Sequence, residues 1–171
     1  MKSAGIGKGM LFYYFNNKKA LHEYLVNYAL DVILNEYLNK LDISETDFID
    51  RLKRASQLKL NCYTENPHVF NFLSNLFISN DSELSKKNQK RFQQLQDVGN
   101  SKLYENIDKT LFRPDIDVEK AFQLIRWSIE GYQNDLTNRL KGQNITLTNI
   151  EHYWEEFDEY LEVLKATFYK R

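Results

Sequence analysis

The 171-residue chain holds one cysteine, two prolines and six glycines, and no apolar run of membrane-spanning length. Each scarcity excludes something. The lone Cys62 has no partner for an internal disulfide and fits a reducing compartment. So few prolines and glycines leave little turn material for a β-sandwich. The opening "MKSAGIGKGM" is not followed by the apolar stretch of a signal peptide, so a cytoplasmic protein with no membrane partner is expected. A net charge of −1 excludes a chain that binds polyanions over its whole surface.

What is present points to a globular helical protein. Hydrophobic residues make up 42% and charged residues 27%, enough to build and solvate a core at this length. Lysine, glutamate, leucine and asparagine dominate, which favours helices. The charge is unevenly spread. Lys2, Lys8, Lys18 and Lys19 fall in the first 19 residues with no acid among them, while Glu151, Glu155, Glu156, Asp158, Glu159 and Glu162 crowd the other end. A basic head on a mildly acidic body is expected to meet an anion with the head alone.

Apolar periodicity organises the rest, and strand-like alternation is absent, so the fold class is all-α. Gly7 to Tyr14 fits a short helix, broken by Asn16-Asn17. Leu21, Leu25, Tyr28, Val32 and Leu38 keep helical spacing from Lys18 to about Leu38. In "DISETDFIDRL", Ser44 with Asp47 three residues on is a capping signal for a helix ending near Glu65. Asn66-Pro67 opens an apolar helix. A long polar helix is expected from Glu83 to Leu111, stopped by "FRPDID". Asp117 caps the next, with its stripe from Val118 to Leu140. After "KGQNITLTN" the last helix carries Ile150, Tyr153, Trp154, Phe157, Leu161, Leu164 and Phe168.

Motifs for chemistry are scarce. His22, His68 and His152 stand apart, and "LHEYL" lacks the second histidine of a zinc-protease helix. "GIGKG" lacks the spacing of a phosphate loop, and "NIT" at Asn144 matches a glycosylation site by pattern only. Cys62 reads as a packed small hydrophobe. No acid/base pair, metal set or cofactor motif stands out, so the expectation is no enzyme, no metal and no cofactor.

One stretch is dense enough to carry a function. "AGIGKGMLFYYFNNKKAL" places a glycine turn, a short aromatic helix and flanking lysines directly before a long helix. That order is compatible with the second half of a helix-turn-helix, whose short second helix lies in the DNA major groove. Leu11 and Phe15 suit its inner side, while Lys8, Tyr13 and Tyr14 suit its outer side. The stretch resembles the DNA-binding signature of the TetR family of bacterial transcriptional regulators, approximately A-G-V-S-K-G-T-L-Y-Y-Y-F-x-S-K-E-x-L. The likeness is contiguous over about eighteen residues; beyond it only the order of helices agrees.

The resemblance implies that Gly7, Lys8, Met10, Phe12, Tyr13, Tyr14 and Lys18 hold the DNA-contact positions. Met10 and Phe12 depart from the family pattern, which has hydroxyl-bearing residues there. The family's first helix and most of its second would lie upstream of Lys2, so the chain is expected to be N-terminally incomplete. Residues 1–25 would then be the remnant of the DNA-binding domain, and 26–171 an effector-binding and dimerisation domain. The implied function is a repressor released from operator DNA by a small, apolar effector. The alternative is a ligand-binding and dimerising module of this fold that has lost specific DNA binding.

The effector is expected among Phe70, Phe77, Phe92, Tyr104, Phe122, Arg126, Trp127 and Glu130, with Asn75, Tyr132 and Gln133 nearby in sequence; the same rings could equally just fill a core. A homodimer is expected through Leu124, Trp127, Ser128, Gly131, Tyr160, Val163 and Leu164, because the last two helices carry apolar residues on more than one side.

Overall fold

The computed structural model describes residues 9, 13–78, 84–140 and 147–170, with backbone alone at 74, 77, 78 and 147–150. Among them are six α-helices: α1 (Lys18–Val32), α2 (Phe48–Glu65), α3 (Pro67–Ile78), α4 (Lys86–Tyr104), α5 (Val118–Leu140) and α6 (Leu147–Phe168). The all-α expectation holds for these residues. The one strand-like feature described is an isolated antiparallel bridge between Phe112 and Tyr169.

The helices start where local chemistry satisfies their free amides. Asn17 accepts from the Ala20 amide at 2.9 Å to open α1, and Ser85 accepts from Asn88 to open α4. The expected Ser44 cap is corrected: Asp47 caps α2, accepting from the Ile49 and Asp50 amides, while Ser44 turns back onto Asp42. Asp117 accepts from the Lys120 amide at 3.2 Å, so that cap stands where the sequence put it.

Two helical spans differ from expectation. The helix from Lys18 continues to Lys40, but its winding changes to a π-helical stretch, Ile33–Tyr37, and then a 3₁₀ turn, Leu38–Lys40. The helix expected to reach Leu111 ends at Tyr104. Asn106 takes a left-handed φ of 55°, which asparagine tolerates better than most residues, and a separate 3₁₀ turn covers Lys109–Leu111.

Helix α2 is the central element. Its Phe48, Ile49 and Leu52 join Ala121, Ile125 and Ile129 of α5, Leu161 of α6, and Phe112 and Tyr169 in one core. A second core packs Val26, Ala29 and Leu30 of α1 against Leu73 and Leu76 of α3. A third joins Leu38 and Leu41 to Ala55 of α2. Gly99 of α4 lets Leu38 approach closely: a Cβ there would lie 3.2 Å from the leucine's Cδ2.

One buried cation ties these parts together. Arg51 of α2 is 3% exposed. Its guanidinium donates to the carbonyls of Glu45 (2.7 Å), Lys102 (3.0 Å), Glu105 (2.6 Å), Ile43 (3.3 Å) and Asn106 (3.5 Å). The Lys102 and Glu105 carbonyls belong to the frayed end of α4, where helix carbonyls lack partners and the dipole favours a cation.

The chain end is fastened to the start of α2. The Tyr169 hydroxyl donates to Asp47 Oδ1 at 2.9 Å and accepts from the Ile49 amide, and Lys165 pairs with Asp47 and Asp50. Burial alone would raise the Asp47 carboxyl, but Lys165, the Asp50 amide and Tyr169 outweigh it and hold the group below the ordinary aspartate range. A depressed carboxyl contributes stability above its unfolded-state pKa of about 3.9, and the contribution is lost as pH falls through the folded value. Acid unfolding of Asp47→Asn should therefore start from lower stability and show a shallower loss below about pH 4, read by circular dichroism. Arg51→Met should lower the unfolding free energy by about 3 kcal/mol or more, because several carbonyls lose their donor in a dry site. Arg51→Lys, with one short donor head, should recover only part of it.

Candidate functional site

At the basic end, Tyr13 and Tyr14 are helical and project outward at 81% and 72% exposure, their rings edge to face at 5.3 Å. Phe15 turns inward onto Tyr24 of α1, with centroids 5.2 Å apart. Lys18 is exposed at the first position of α1, where free backbone amides also attract an anion. Gly7, Lys8, Met10 and Phe12 lie outside the described residues. Lys18 and the two tyrosines thus occur on either side of the Asn16-Asn17 bend, exposed and without an ion pair among the described residues.

The far end of the same helical rod reaches a cavity of about 130 Å³. An apolar cavity of about 150 Å³ accommodates one benzene-sized molecule, so this space has the scale of one ring. Helix α2 contributes Leu52, Ala55, Ser56 and Lys59, one face at the i, i+3, i+4, i+7 spacing. Helix α5 contributes Ile129, Tyr132, Gln133 and Leu136 at the same spacing. Tyr153, Trp154 and Phe157 of α6 and Leu103 and Tyr104 of α4 close the sides. Tyr37, the last residue of the π-helical stretch, completes the wall.

Several wall groups are fixed by bonds to one another and to neighbouring residues. The Trp154 indole donates to the Ser56 carbonyl at 2.7 Å, joining α6 to α2. The Tyr132 hydroxyl donates to the Tyr153 carbonyl at 2.8 Å and lies 3.3 Å from Glu156 Oε2. Burial and the Glu156 charge push the Tyr132 phenol up to about 12. Arg139 holds Glu156 at 3.0 Å and keeps its carboxyl below the usual range. The π winding is satisfied too: the Leu38 amide reaches back to the Ile33 carbonyl, the buried Cys62 thiol donates to Glu36 O at 2.9 Å, and Lys102 caps Leu38 O at 2.7 Å. Burial raises the Cys62 thiol, which keeps it protonated and inert.

The expected effector set is not gathered around this cavity. Tyr104 lines it. Phe122 packs behind Tyr104 at 6.1 Å and on Phe48 at 4.5 Å, and the Arg126 guanidinium stacks 4.6 Å over the Tyr104 ring. Glu130 pairs with Arg126 along α5. Phe70 packs on Tyr63 and Phe92 against the α1–α3 core, both away from the space. Trp127 is 59% exposed on the opposite side of α5, and the Phe77 side chain lies outside the description. Sequence reasoning missed Tyr37, Ser56, Lys59, Trp154 and Phe157 as wall residues. Their signal is the shared face of α2 with the inward faces of α5 and α6.

The expected dimer residues do share one surface. Leu124, Trp127, Ser128 and Gly131 form an outward stripe on α5, and Tyr160 and Val163 face the same way on α6. Between the helices runs a groove of about 410 Å³ lined by Ser128, Gly131, Tyr160, Val163 and the half-buried Leu164. A side chain added at Gly131 would meet nothing within 4 Å, so the groove floor is open to an approaching surface.

No family model, curated protein or solved structure matches the chain. No metal-binding cluster occurs, and no helix is long and apolar enough to cross a membrane, among the described residues.

The cavity can be tested with a neutral probe. A ligand that binds only the folded state adds about 2.7 kcal/mol at one hundred times its Kd. Toluene near saturation should raise the melting temperature, and Leu136→Trp, which fills the space from α5, should remove that rise. An unchanged melting temperature with toluene would mean that the cavity does not take apolar guests.

Proposed function

We propose that this chain is a ligand-responsive transcriptional regulator of the TetR type, acting as a homodimeric repressor. The observation that carries the reading is the continuous helical rod from Lys18 to Lys40. One end presents Lys18 beside exposed Tyr13 and Tyr14, and the other presents Tyr37 to a ring-sized cavity, about 30 Å away along the rod.

Such a rod converts occupancy of the cavity into displacement at the basic end. A guest that contacts Tyr37 favours one winding of the π and 3₁₀ segments over another, which is a differential affinity for two states. In a dimer joined through the outward faces of α5 and α6, the same shift changes the separation of the two basic ends and so their fit to successive major grooves. The exposed apolar residues of α5 and α6 support that assembly, since four helices can close into a bundle.

Two measurements test the reading. Light scattering at micromolar concentration should give a dimer, and Leu124→Glu with Val163→Glu should give a folded monomer. Fluorescence anisotropy with duplex DNA from around its gene should show binding that weakens steeply with salt. Lys18→Ala should reduce the log–log salt slope by about one. A monomer that ignores DNA even at low salt would sink the proposal.

A further inference from the structure

Lys59 is the one cation in the wall of the cavity, and its surroundings are unusual. Lys59 is solvent-exposed at the open mouth of the cavity, although the protein crowded around its ammonium still pulls it below the ordinary lysine range. Among the described residues it has no hydrogen bond and no ion pair, and no carboxylate stands near enough to offset the burial that pulls it below the ordinary lysine range. Several acids of the facing helices are engaged elsewhere, Glu156 with Arg139, Glu130 with Arg126, and Asp158 and Glu162 with Lys53, and no carboxylate lines the cavity itself.

A second donor lines the same space. Burial and the neighbouring Cys62 and Tyr104 push the Tyr37 phenol up to about 12, so it stays neutral, and its hydroxyl has no partner among the described residues. Of the other polar wall groups, Trp154 is committed to Ser56 and Tyr132 to Tyr153, while the Ser56, Tyr104, Gln133 and Tyr153 side chains add neutral polar atoms to the lining. The cavity therefore offers aromatic and aliphatic walls with one cation, several neutral polar groups including Tyr37, and no carboxylate. An ammonium at the mouth of such a space pairs with an anion through a charge-assisted hydrogen bond, while the ring walls take the anion's apolar body. Imine chemistry at this lysine is disfavoured by the same inventory, since no carboxylate or histidine in the wall can move the protons it requires.

We infer that the cavity binds a small amphiphilic anion, its one-ring body against Trp154, Phe157 and Leu136 and its carboxylate on Lys59, with Tyr37 as the second donor. The inference rests on the reading of this cavity as an effector site and names the effector's class. It also couples the guest to the rod, because the carboxylate touches the residue that ends the π-helical stretch.

The test compares 4-phenylbutyrate with 4-phenylbutanamide, which share a body and differ in charge, by calorimetry on the full chain. The carboxylate should bind at least tenfold tighter than the amide. Lys59→Met should erase that preference while leaving amide binding in place, Lys59→Arg should keep much of it, and Tyr37→Phe should weaken the carboxylate about threefold. Equal affinities in the unmodified protein would overturn the anion inference and leave an apolar effector site standing. A full preference surviving in Lys59→Met would overturn it as well, by placing the charge elsewhere. Binding of neither compound, with Lys59→Met still folded, would overturn both the inference and the effector-site reading.

Discussion

The fold turns on how Arg51 is solvated. A guanidinium removed from water must find acceptors, and here it finds five backbone carbonyls from two separate segments, Ile43 to Glu45 and Lys102 to Asn106. Those carbonyls have needs of their own: the α4 set terminates a helix, and the other lies in the loop before α2. Donor and acceptors therefore solve each other's desolvation. The consequence is positional. With the end of α4 fixed on α2, Leu103 and Tyr104 are held beside Leu52 and Ala55, and that corner is one wall of the cavity.

The adjoining wall depends on a change of helical winding. A continuous α-helix through Ile33–Tyr37 would turn Tyr37 to another bearing, since each π turn carries an extra residue. Wider winding leaves carbonyls misaligned with their usual donors. Cys62 takes Glu36 O and Lys102 takes Leu38 O, so donors from α2 and α4 hold the winding in place. The segment that lines the cavity is thus supported by side chains as well as by its own backbone bonds. Its bonds come from helices that also line the cavity, which is the connectivity a two-state element requires.

Legibility in the sequence followed the strength of each local signal. Helix positions came from apolar spacing, and Asp117 and Pro67 marked real starts, because capping and proline chemistry act within one turn. The stripe of Leu124, Trp127, Ser128 and Gly131 was visible as apolar and small residues left over once the inner face of α5 was filled. The end of α4 was not visible: the helical pattern runs on to Leu111, and what stops it is Arg51, over fifty residues away in sequence. Ser44 likewise lost to Asp47, whose side chain is also held by Tyr169 and Lys165 from the far end of the chain. The expected effector residues do not share one face: Phe70 packs on Tyr63 of α2, and Phe92 packs against the α1–α3 core. Lys59 escaped notice because a lysine in "RASQLKL" is indistinguishable by pattern from a solvated one.

Helix α2 carries a buried arginine and, eight residues on, a lysine at the mouth of the cavity, and the contrast between them separates structure from site. Arg51 is planar and forked, and its donors are spent on carbonyls the fold itself provides. Lys59 is a compact charge on a flexible stem at the edge of a ring-lined cavity, with no ion pair among the described residues. The charge makes physical sense when its counterpart comes from outside, as the head group of a guest that the rings alone would hold without orientation.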